Sequence, residues 1–281
     1  MIWHRGSLLD DRTLTIGIDD RTFEHGLGLF ETLRTWNGRA PLLPRHLDRM
    51  RNSAETLGLP MADVSLPDDA AVSSLIDCAG LGPDAVLRIT MTGGSASGDP
   101  PVLWMTAKPL PTPIVGDVAA VLAPVEVAYG DALARHKTLN YWLRRLASEH
   151  AARLGVFESL IGDGMGTIWE GSRTNLFLIA NDAIVAPSLD GPLVPGIMRR
   201  CALDFARESG YRIEERNVTT EDLDRAEAVF LCNSVRGVVR VGSFRDRPLD
   251  VKKHRDFARR LADELPKAIR DLRFHSNESN P

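Results

Sequence analysis

The chain has 281 residues, a formal net charge of −4, 43% hydrophobic residues and 26% charged residues. This composition is ordinary for a folded protein and argues against a disordered chain. A pI near 6.0 gives no electrostatic reason to expect a nucleic-acid partner. At about 150 residues per domain, the length predicts two domains.

Other kinds of site and location are also disfavoured. No apolar stretch approaches the roughly 18 residues that a membrane span needs, and the N-terminus lacks the apolar core of a signal peptide. The three cysteines (Cys78, Cys201, Cys232) contain no C-x-x-C pair, which favours a reducing, cytoplasmic setting. The histidines contain no H-x-x-x-H pair, so no metal site is expected.

A proline-rich stretch is predicted to divide the chain. Residues 108–113 hold three prolines within five positions, which favours a stiff linker. We therefore expect a small domain over residues 1–107, a linker over 108–116 and a larger domain over 117–281. Strands and helices are mixed without a strict βαβ pattern, so the predicted fold class is α+β.

The first predicted element is a β-hairpin. Phe30–Trp36 and Arg39–Leu43 flank Asn37-Gly38, a strong two-residue turn signal. Alternation along the first strand puts four residues on one face: Phe30, Thr32, Arg34 and Trp36.

A helix and a strand follow in the small domain. The helix is predicted after Pro44 and ends near Gly58, and its core-facing residues recur at helical spacing. These residues are Leu47, Met50, Ala54 and Leu57. Ala85–Met91 is predicted to be a buried strand.

The larger domain is predicted to alternate between short strands and helices. The predicted strands are Val118–Val127, Phe157–Ile161, Met165–Glu170, Asn175–Ala180, Ala228–Cys232 and Val238–Val241. The predicted helices are Asn140–Leu154, Ile197–Ser209, a short helix capped by Thr219 and Asp222, and Val251–Leu272.

A primary amine is scarce in this sequence, because only five of the 34 basic residues are lysines. Lys108 lies in the predicted linker. Lys137 follows a predicted strand and precedes a helix, where a side chain can be held rigidly. A solvated loop lysine would fit the same position.

The sequence also contains a carboxylate and an anion cup. Glu170 ends a predicted strand, and the helix that starts at Ile197 and Met198 presents N–H groups and the positive end of its dipole. Arg49 and Ser234 are further candidates for the cup. A lysine, a carboxylate and an anion cup are what pyridoxal phosphate needs for its aldehyde, its pyridine nitrogen and its phosphate. Each feature alone also fits an ordinary turn or surface residue.

Four sequence blocks together resemble a known family. They are Gly26–Arg34 with His46–Met50, His136–Tyr141, Glu170–Phe177, and Pro195–Arg199 with Cys232–Val238. Their order and spacing resemble the class IV, or fold-type IV, pyridoxal-phosphate-dependent aminotransferases. That family includes branched-chain and D-amino acid aminotransferases, R-selective amine transaminases and aminodeoxychorismate lyase.

The resemblance implies a role for each candidate residue. Lys137 would form the Schiff base and carry protons, and Glu170 would pair with the pyridine nitrogen. The phosphate would be held by Arg49, Ile197, Met198 and Ser234. Tyr141 would lie near the ring hydroxyl. The family fold is a small α+β domain and a larger domain with a barrel-like sheet, usually in a homodimer.

The implied reaction moves an amino group between an amino acid, or an amine, and a 2-oxo acid. The alternative is the aminodeoxychorismate lyase reaction, a β-elimination that gives 4-aminobenzoate and pyruvate. Neither Lys137 nor Glu170 distinguishes the two reactions. The residues expected to bind substrate are Phe30, Thr32, Arg34, Val235 and Arg236, and Arg236 is a candidate clamp for a carboxylate.

Overall fold

The computed structural model describes residues 1–10, 13–250, 252 and 254–271. In this part of the chain the strands are β1 (Ile2–His4), β2 (Ser7–Leu9), β3 (Gly28–Arg34), β4 (Ala85–Thr92), β5 (Leu103–Pro109), β6 (Val118–Glu126), β7 (Glu158–Gly162), β8 (Thr167–Gly171), β9 (Asn175–Ala180), β10 (Ala183–Pro187), β11 (Arg212–Arg216), β12 (Val218–Thr219), β13 (Ala228–Asn233), β14 (Gly237–Phe244) and β15 (Arg247–Pro248). The helices are α1 (Arg21–His25), α2 (Leu43–Thr56), α3 (Asp69–Cys78), α4 (Trp142–Arg153), α5 (Ile197–Glu208), α6 (Thr220–Arg225), α7 (Arg255–Asp263) and α8 (Leu265–Arg270). No helix among these residues is long and apolar enough to cross a membrane.

The chain forms two units, each with its own sheet. The first unit contains Met1–Thr112, His136–Asn140 and Ile269–Pro281, and the second contains Pro113–Arg135 and Tyr141–Ala268. The short segment His136–Asn140 therefore groups with residues that precede it by more than twenty positions. The first two residues of the predicted linker, Lys108 and Pro109, complete β5, where a proline is tolerated at the strand end.

The first unit is built on a five-stranded antiparallel sheet in the order β2-β1-β5-β4-β3. Residues that alternate along β3 and β4 point to opposite faces. One face belongs to the apolar core beneath α2 and α3, and its members include Leu29, Leu33, Leu87, Ile89, Met50 and Leu75. The opposite face carries Phe30, Thr32 and Arg34, as the alternation predicts.

The predicted hairpin is wrong in its second strand. Asn37 and Gly38 do adopt left-handed φ angles of 51° and 77°, as the turn signal requires. However, only an isolated bridge joins Trp36 to Arg39, and Leu43 already begins α2. The partner of β3 is β4, a buried strand about fifty residues later that pairs with all seven β3 residues.

The predicted helix after Pro44 is confirmed. It runs over Leu43–Thr56, with Pro44 in the first turn, where its missing N–H costs nothing. Leu47, Met50 and Ala54 are buried against the sheet, so the helical spacing identified the core face. The predicted strand Ala85–Met91 is also confirmed as β4.

The second unit is a ten-stranded, nearly closed, barrel-like sheet. Its ladder runs β11-β10-β9-β13-β14-β6-β7-β8-β12, with β15 paired to β14. The sheet curls on itself, because β8 also contacts β9 and β10. The helix α4 packs on β6 and β7, and α5 packs on β11 and β13. The apolar core inside includes Leu160, Ile168, Leu176, Leu178, Val229, Leu231 and Phe244.

Most elements predicted for the second unit are confirmed. The hairpin across Asp163-Gly164 is β7 and β8, and the box of Thr219 and Asp222 caps α6. On α4 the buried residues are only Ala147 and Ala151, while Leu146 and Leu154 of the predicted core face are exposed.

The predicted last helix is wrong in its length. It is two helices, α7 and α8, which meet at Glu264 just before the Leu265-Pro266 step. Its outer ends at Val251 and Leu272 lie outside the described residues.

The two sheets together confirm the α+β class and the barrel-like larger sheet expected from the resemblance.

Candidate active site

The segment that carries Lys137 lies along β3. Phe30 donates its backbone N–H to the Lys137 carbonyl at 2.9 Å, and Leu139 donates to the Gly28 carbonyl at 3.0 Å. Gly28 permits this approach, because a Cβ there would lie 2.6 Å from Leu139 Cδ1 and from Met91 O, and its φ is +144°. The backbone of Lys137 is therefore fixed to the sheet rather than solvated in a loop.

The residue before Lys137 adds a second anchor. Nδ1 of His136 and Oγ of Ser53 are 2.9 Å apart, which joins the segment to α2. Hydrogen bonds to both β3 and α2 hold the Lys137 backbone in one position. This is the rigid setting that the sequence predicted for a reactive amine.

Two cationic side chains lie over the ring of Phe30. The Lys137 ammonium is 4.5 Å from the ring centroid, and the Arg88 guanidinium is 3.9 Å from it. The Phe30 side chain is 5% exposed, whereas Arg88 is exposed. An aromatic face attracts both cations, so Phe30 is positioned beneath an amine and a guanidinium.

Arg88 was not among the predicted site residues. It lies opposite Thr32 in the β3–β4 ladder, so it shares the face that carries Phe30 and Thr32. The sequence signal was present, since Arg88 is the one charged residue within the apolar run Ala85–Met91. Its location could not be inferred, because the partner of β3 was not known.

The structure does not bring Arg34 to Phe30. Arg34 donates to Asp84 at 3.3 Å, and its guanidinium lies 4.9 Å from the Trp36 ring centroid. Four residues along a strand span about 13 Å, so Arg34 lies well away from Phe30. Thr32 lies between them on the same face.

Arg49 belongs to a buried polar cluster on the core face. Its Nε and Nη2 donate to Glu31 Oε1 and Oε2 at 2.8 and 2.6 Å, and His46 Nδ1 is 2.6 Å from Glu31 Oε2. Burial alone would raise the pKa of Glu31, but Arg49 and His46 outweigh it and lower that pKa to about 2. Burial lowers the pKa of His46, and the positive charges of Arg49 and Lys137 add to that effect. His46 is therefore neutral and donates through Nδ1.

Glu170 is held by an arginine and a backbone amide. Arg144 Nη2 donates to Glu170 Oε1 at 2.5 Å, and Val194 N–H lies 3.3 Å from both carboxylate oxygens. The Glu170 side chain is 5% exposed. Arg144 itself is held by a further bond to the Ala134 carbonyl at 3.2 Å. Sequence reasoning identified Glu170 but missed Arg144.

The start of α5 is joined to the same strands. Asn175 Nδ2 donates to the Val194 carbonyl at 2.9 Å, so the Val194 peptide is bound on both sides, by Glu170 and by Asn175. A Cβ on Gly196 would lie 1.8 Å from Asn175 Oδ1, so only glycine fits there. No side chain caps this helix, whose first residues are Ile197 and Met198. An uncapped helix start is a suitable place for an anion.

The predicted residues Ser234, Val235 and Arg236 form the turn between β13 and β14. Asn233 Oδ1 accepts the backbone N–H of Val235 at 3.0 Å and of Arg236 at 2.8 Å. These two amides are therefore used within the turn. Ser234 is 9% exposed, and Arg236 is half-buried.

Tyr141 lies beside the Glu170 group. Its hydroxyl donates to the Ser172 carbonyl at 3.3 Å, and burial raises its pKa, so the phenol is neutral. The turn that contains Ser172 is organised by Glu158, a fully buried carboxylate. Its oxygens accept from the backbone of Ser159, Ser172 and Arg173 and from the hydroxyls of Ser172 and Thr174.

Comparison with known proteins identifies the family. The amino-transferase class IV model matches residues 28–244, which include both groups of candidate residues. The chain belongs to the class IV aminotransferases. Aminotransferases of this class depend on pyridoxal phosphate and act on amino acids and 2-oxo acids.

Individual relatives of this aminotransferase include more than one reaction. A Methanocaldococcus jannaschii protein, provisionally named a branched-chain-amino-acid aminotransferase, is 26% identical over 276 residues and 94% of each chain. A bifunctional aminodeoxychorismate lyase and D-amino acid transaminase of Mycobacterium tuberculosis is 26% identical over 87% of this chain and 91% of its own. The pyridoxal-phosphate-bound structure of a hypothetical aminotransferase from the same organism superposes with a TM-score of 0.82 at 26% identity, over 96% of this chain and 98% of that one.

The residues present fit the cofactor of this aminotransferase. The uncapped start of α5 suits a phosphate, and the buried carboxylate of Glu170 suits a protonated ring nitrogen. Lys137 supplies an amine on a rigid segment. Each part of the cofactor therefore has a matching group in the chain.

Proposed function

We propose that this aminotransferase acts on α-amino acids and 2-oxo acids, with Lys137 as the amine that holds the cofactor. The observation that carries the proposal is that the Lys137 ammonium and the Arg88 guanidinium share the ring of Phe30. An amine that moves protons thus lies beside a cation that can bind a carboxylate. Pyridoxal phosphate, when bound, supplies an aldehyde and a ring that withdraws electrons from the substrate Cα.

Lys137 is proposed to move a proton from the substrate Cα. A base must lose its own proton before it can take another, so Lys137 has to act as a neutral amine. Its backbone is fixed to β3 by two hydrogen bonds. Only the side chain has to move, which keeps the amine within reach of the reacting carbon.

Glu170 is proposed to accept a hydrogen bond from the protonated ring nitrogen. A buried carboxylate in such a pair favours the positive form of the ring, which is the better acceptor of electrons. Val194 N–H and Arg144 support this role, because they fix the orientation of the carboxylate. Tyr141 is proposed to lie near the ring hydroxyl.

Four residues are proposed to hold the phosphate. They are Arg49, Ser234 and the backbone amides of Ile197 and Met198. The uncapped start of α5 supports this assignment for the two amides. The two-point pair with Glu31 fixes the plane of the Arg49 guanidinium, which keeps the side chain ordered for a charge-assisted contact.

The substrate pocket is proposed to be lined by Phe30, Thr32, Arg34, Val235 and Arg236, with Arg88 added. Arg88 is the candidate for the substrate carboxylate, because its guanidinium lies closest to the proposed amine on a shared ring. Arg34 is already paired with Asp84, which leaves it a smaller part.

One experiment distinguishes the proposed reaction from its alternatives. The holoenzyme is incubated separately with D-alanine, L-leucine, R-phenylethylamine and aminodeoxychorismate. We expect an amino acid to convert the cofactor to its pyridoxamine form and to release the matching 2-oxo acid, while R-phenylethylamine reacts poorly. Release of pyruvate from aminodeoxychorismate without amine transfer would instead establish the lyase reaction.

The aminotransferase is further proposed to form a homodimer. Trp142 and Leu146 lie one helical turn apart on α4 and are 72% and 43% exposed, an apolar surface that a second copy of the chain would cover. Light scattering should give twice the chain mass of 30.9 kDa, and Trp142→Glu should lower it. A single-chain mass for the wild type would overturn the proposal.

A cytoplasmic location is proposed as well. Cys78, Cys201 and Cys232 are all free thiols, and the last two are buried. Such thiols are common where the surroundings are reducing. Fractionation of the producing cells tests the proposal, and recovery of the enzyme outside the cytoplasm would contradict it.

A further inference from the structure

Two consecutive arginines of α4 have different surroundings. Arg145 is 64% exposed and pairs with Glu149 one turn along the helix. Arg144 is 17% exposed and donates to Glu170 and to the Ala134 carbonyl. The first pair is an ordinary surface contact, whereas the second places a permanent charge on a buried carboxylate.

The Arg144–Glu170 pair lies in a group of partly buried charges. Glu158 and Tyr141 also act electrostatically on Arg144, and Arg173 acts on Tyr141. Glu170 and the other carboxylates raise the pKa of Arg144 against the effect of burial, so the guanidinium stays charged. At any working pH, Glu170 therefore has a full positive charge 2.5 Å from Oε1.

A carboxylate shared between two cations binds each of them less strongly than it would bind one alone. If Glu170 also accepts from a protonated ring nitrogen, that nitrogen has to share the carboxylate with Arg144. The positive charge of Arg144 also disfavours a second positive charge nearby. Both effects lower the affinity of the ring nitrogen for its proton, while the ion pair keeps Glu170 ionised.

We propose that Arg144 is a positioning residue that holds Glu170 as the carboxylate and limits how firmly the ring nitrogen retains its proton. This inference rests on the proposed role of Glu170. It assigns the chain a way to set the electron demand of its cofactor that does not involve contact between Arg144 and the reacting carbon.

The test measures binding of two cofactors to the apoenzyme. One is pyridoxal phosphate, and the other is its analogue with C–H in place of the ring nitrogen. Dividing the Kd of the analogue by that of pyridoxal phosphate gives the contribution of the ring nitrogen, which we call the nitrogen ratio. Contributions of the aldehyde and the phosphate cancel in this ratio.

Removal of the Arg144 charge should raise the nitrogen ratio, because Glu170 then has the ring nitrogen as its main counterion. Arg144→Gln keeps a hydrogen-bond donor without the charge, and we expect about a tenfold rise, the equivalent of one pKa unit. Arg144→Met has a similar length and carries the same expectation if the first variant does not fold. Arg144→Lys and the matched control Arg145→Gln should leave the ratio unchanged.

The outcomes separate this inference from the proposed function. An unchanged or lower ratio in the uncharged Arg144 variants overturns the inference, since a merely structural Arg144 would only loosen Glu170 when removed. Glu170→Gln should reduce the wild-type ratio. If it does not, Glu170 is not the partner of the ring nitrogen, and the proposed function of that residue fails first.

Discussion

Arg49 and Glu31 form a two-point ion pair in the core of the first unit. The contacts are 2.8 Å from Nε to Oε1 and 2.6 Å from Nη2 to Oε2, and the Glu31 side chain is 2% exposed. His46 donates to the same carboxylate, so one buried negative charge orders two basic side chains. The proposed phosphate contact of Arg49 thus depends on a residue on the opposite face of β3 from the proposed substrate residues.

Replacement of Glu31 should destabilise the protein and change its response to acid. Glu31→Gln leaves Arg49 without its buried counterion, which costs about 3–5 kcal/mol. The folded-state pKa of Glu31 is about 2, below its ordinary 4.5. Its contribution of about 3 kcal/mol is therefore present above pH 4.5 and is lost as the pH falls toward 2. Urea unfolding between pH 7 and pH 3 measures both effects.

The matched control for Glu31 lies on the surface of the same unit. Asp48 on α2 pairs with Arg51 and is partly exposed, so Asp48→Asn should change stability by less than 1 kcal/mol. Parallel stability curves for wild type and Glu31→Gln between pH 4.5 and 3 would contradict the assigned role.

Gly196→Ala should weaken phosphate binding. The new Cβ would lie 1.8 Å from Asn175 Oδ1 and 3.2 Å from Arg199 Cβ, so the start of α5 has to move. We expect the Kd for pyridoxal phosphate to rise at least about tenfold, the equivalent of roughly 1.4 kcal/mol. Gly130→Ala is the control, because its Cβ would meet nothing within 4 Å. Equal cofactor affinity in the two variants would remove the start of α5 from the phosphate site.

Arg88→Met should weaken the binding of substrates that carry an α-carboxylate. A charge-assisted contact is worth about 1.5–3 kcal/mol, so KM should rise roughly 10- to 100-fold for amino acids and little for simple amines. Arg34→Met, on the same face but paired with Asp84, is the control. If both variants raise KM equally for amines and amino acids, Arg88 has no part in carboxylate recognition.

Arg236→Ala tests the carboxylate clamp expected from the sequence. If Arg236 binds the substrate carboxylate, its loss raises KM for amino acids more than for simple amines. We expect the larger effect from Arg88 and a smaller one from Arg236. A larger effect from Arg236 would assign the clamp to the turn after β13 instead.

Local signals in the sequence predicted much of the fold. The spacing of Leu47, Met50 and Ala54 identified the buried side of α2, and Asn37-Gly38 identified a turn. The strand after that turn was wrong because the partner of β3 lies about fifty residues away, and no local signal specifies a distant pairing. The grouping of His136–Asn140 with the first unit is likewise a property of the folded chain.

The candidate site was predicted where residue type restricts chemistry. Few lysines are present, so Lys137 was identified by elimination together with its sequence block. Arginines are abundant, so Arg88 and Arg144 could not be distinguished from surface arginines. Arg144 and Arg145 are adjacent in sequence, and only the orientation of α4 makes one of them buried.

The central claim is that Lys137 is the amine that holds the cofactor. The holoenzyme is treated with borohydride, digested, and its peptides are mapped by mass spectrometry. We predict that the reduced pyridoxyl group is found on the peptide that contains Lys137, and that Lys137→Ala abolishes it while Lys108→Arg does not. A pyridoxyl group on another lysine, or one that persists in Lys137→Ala, would contradict the account.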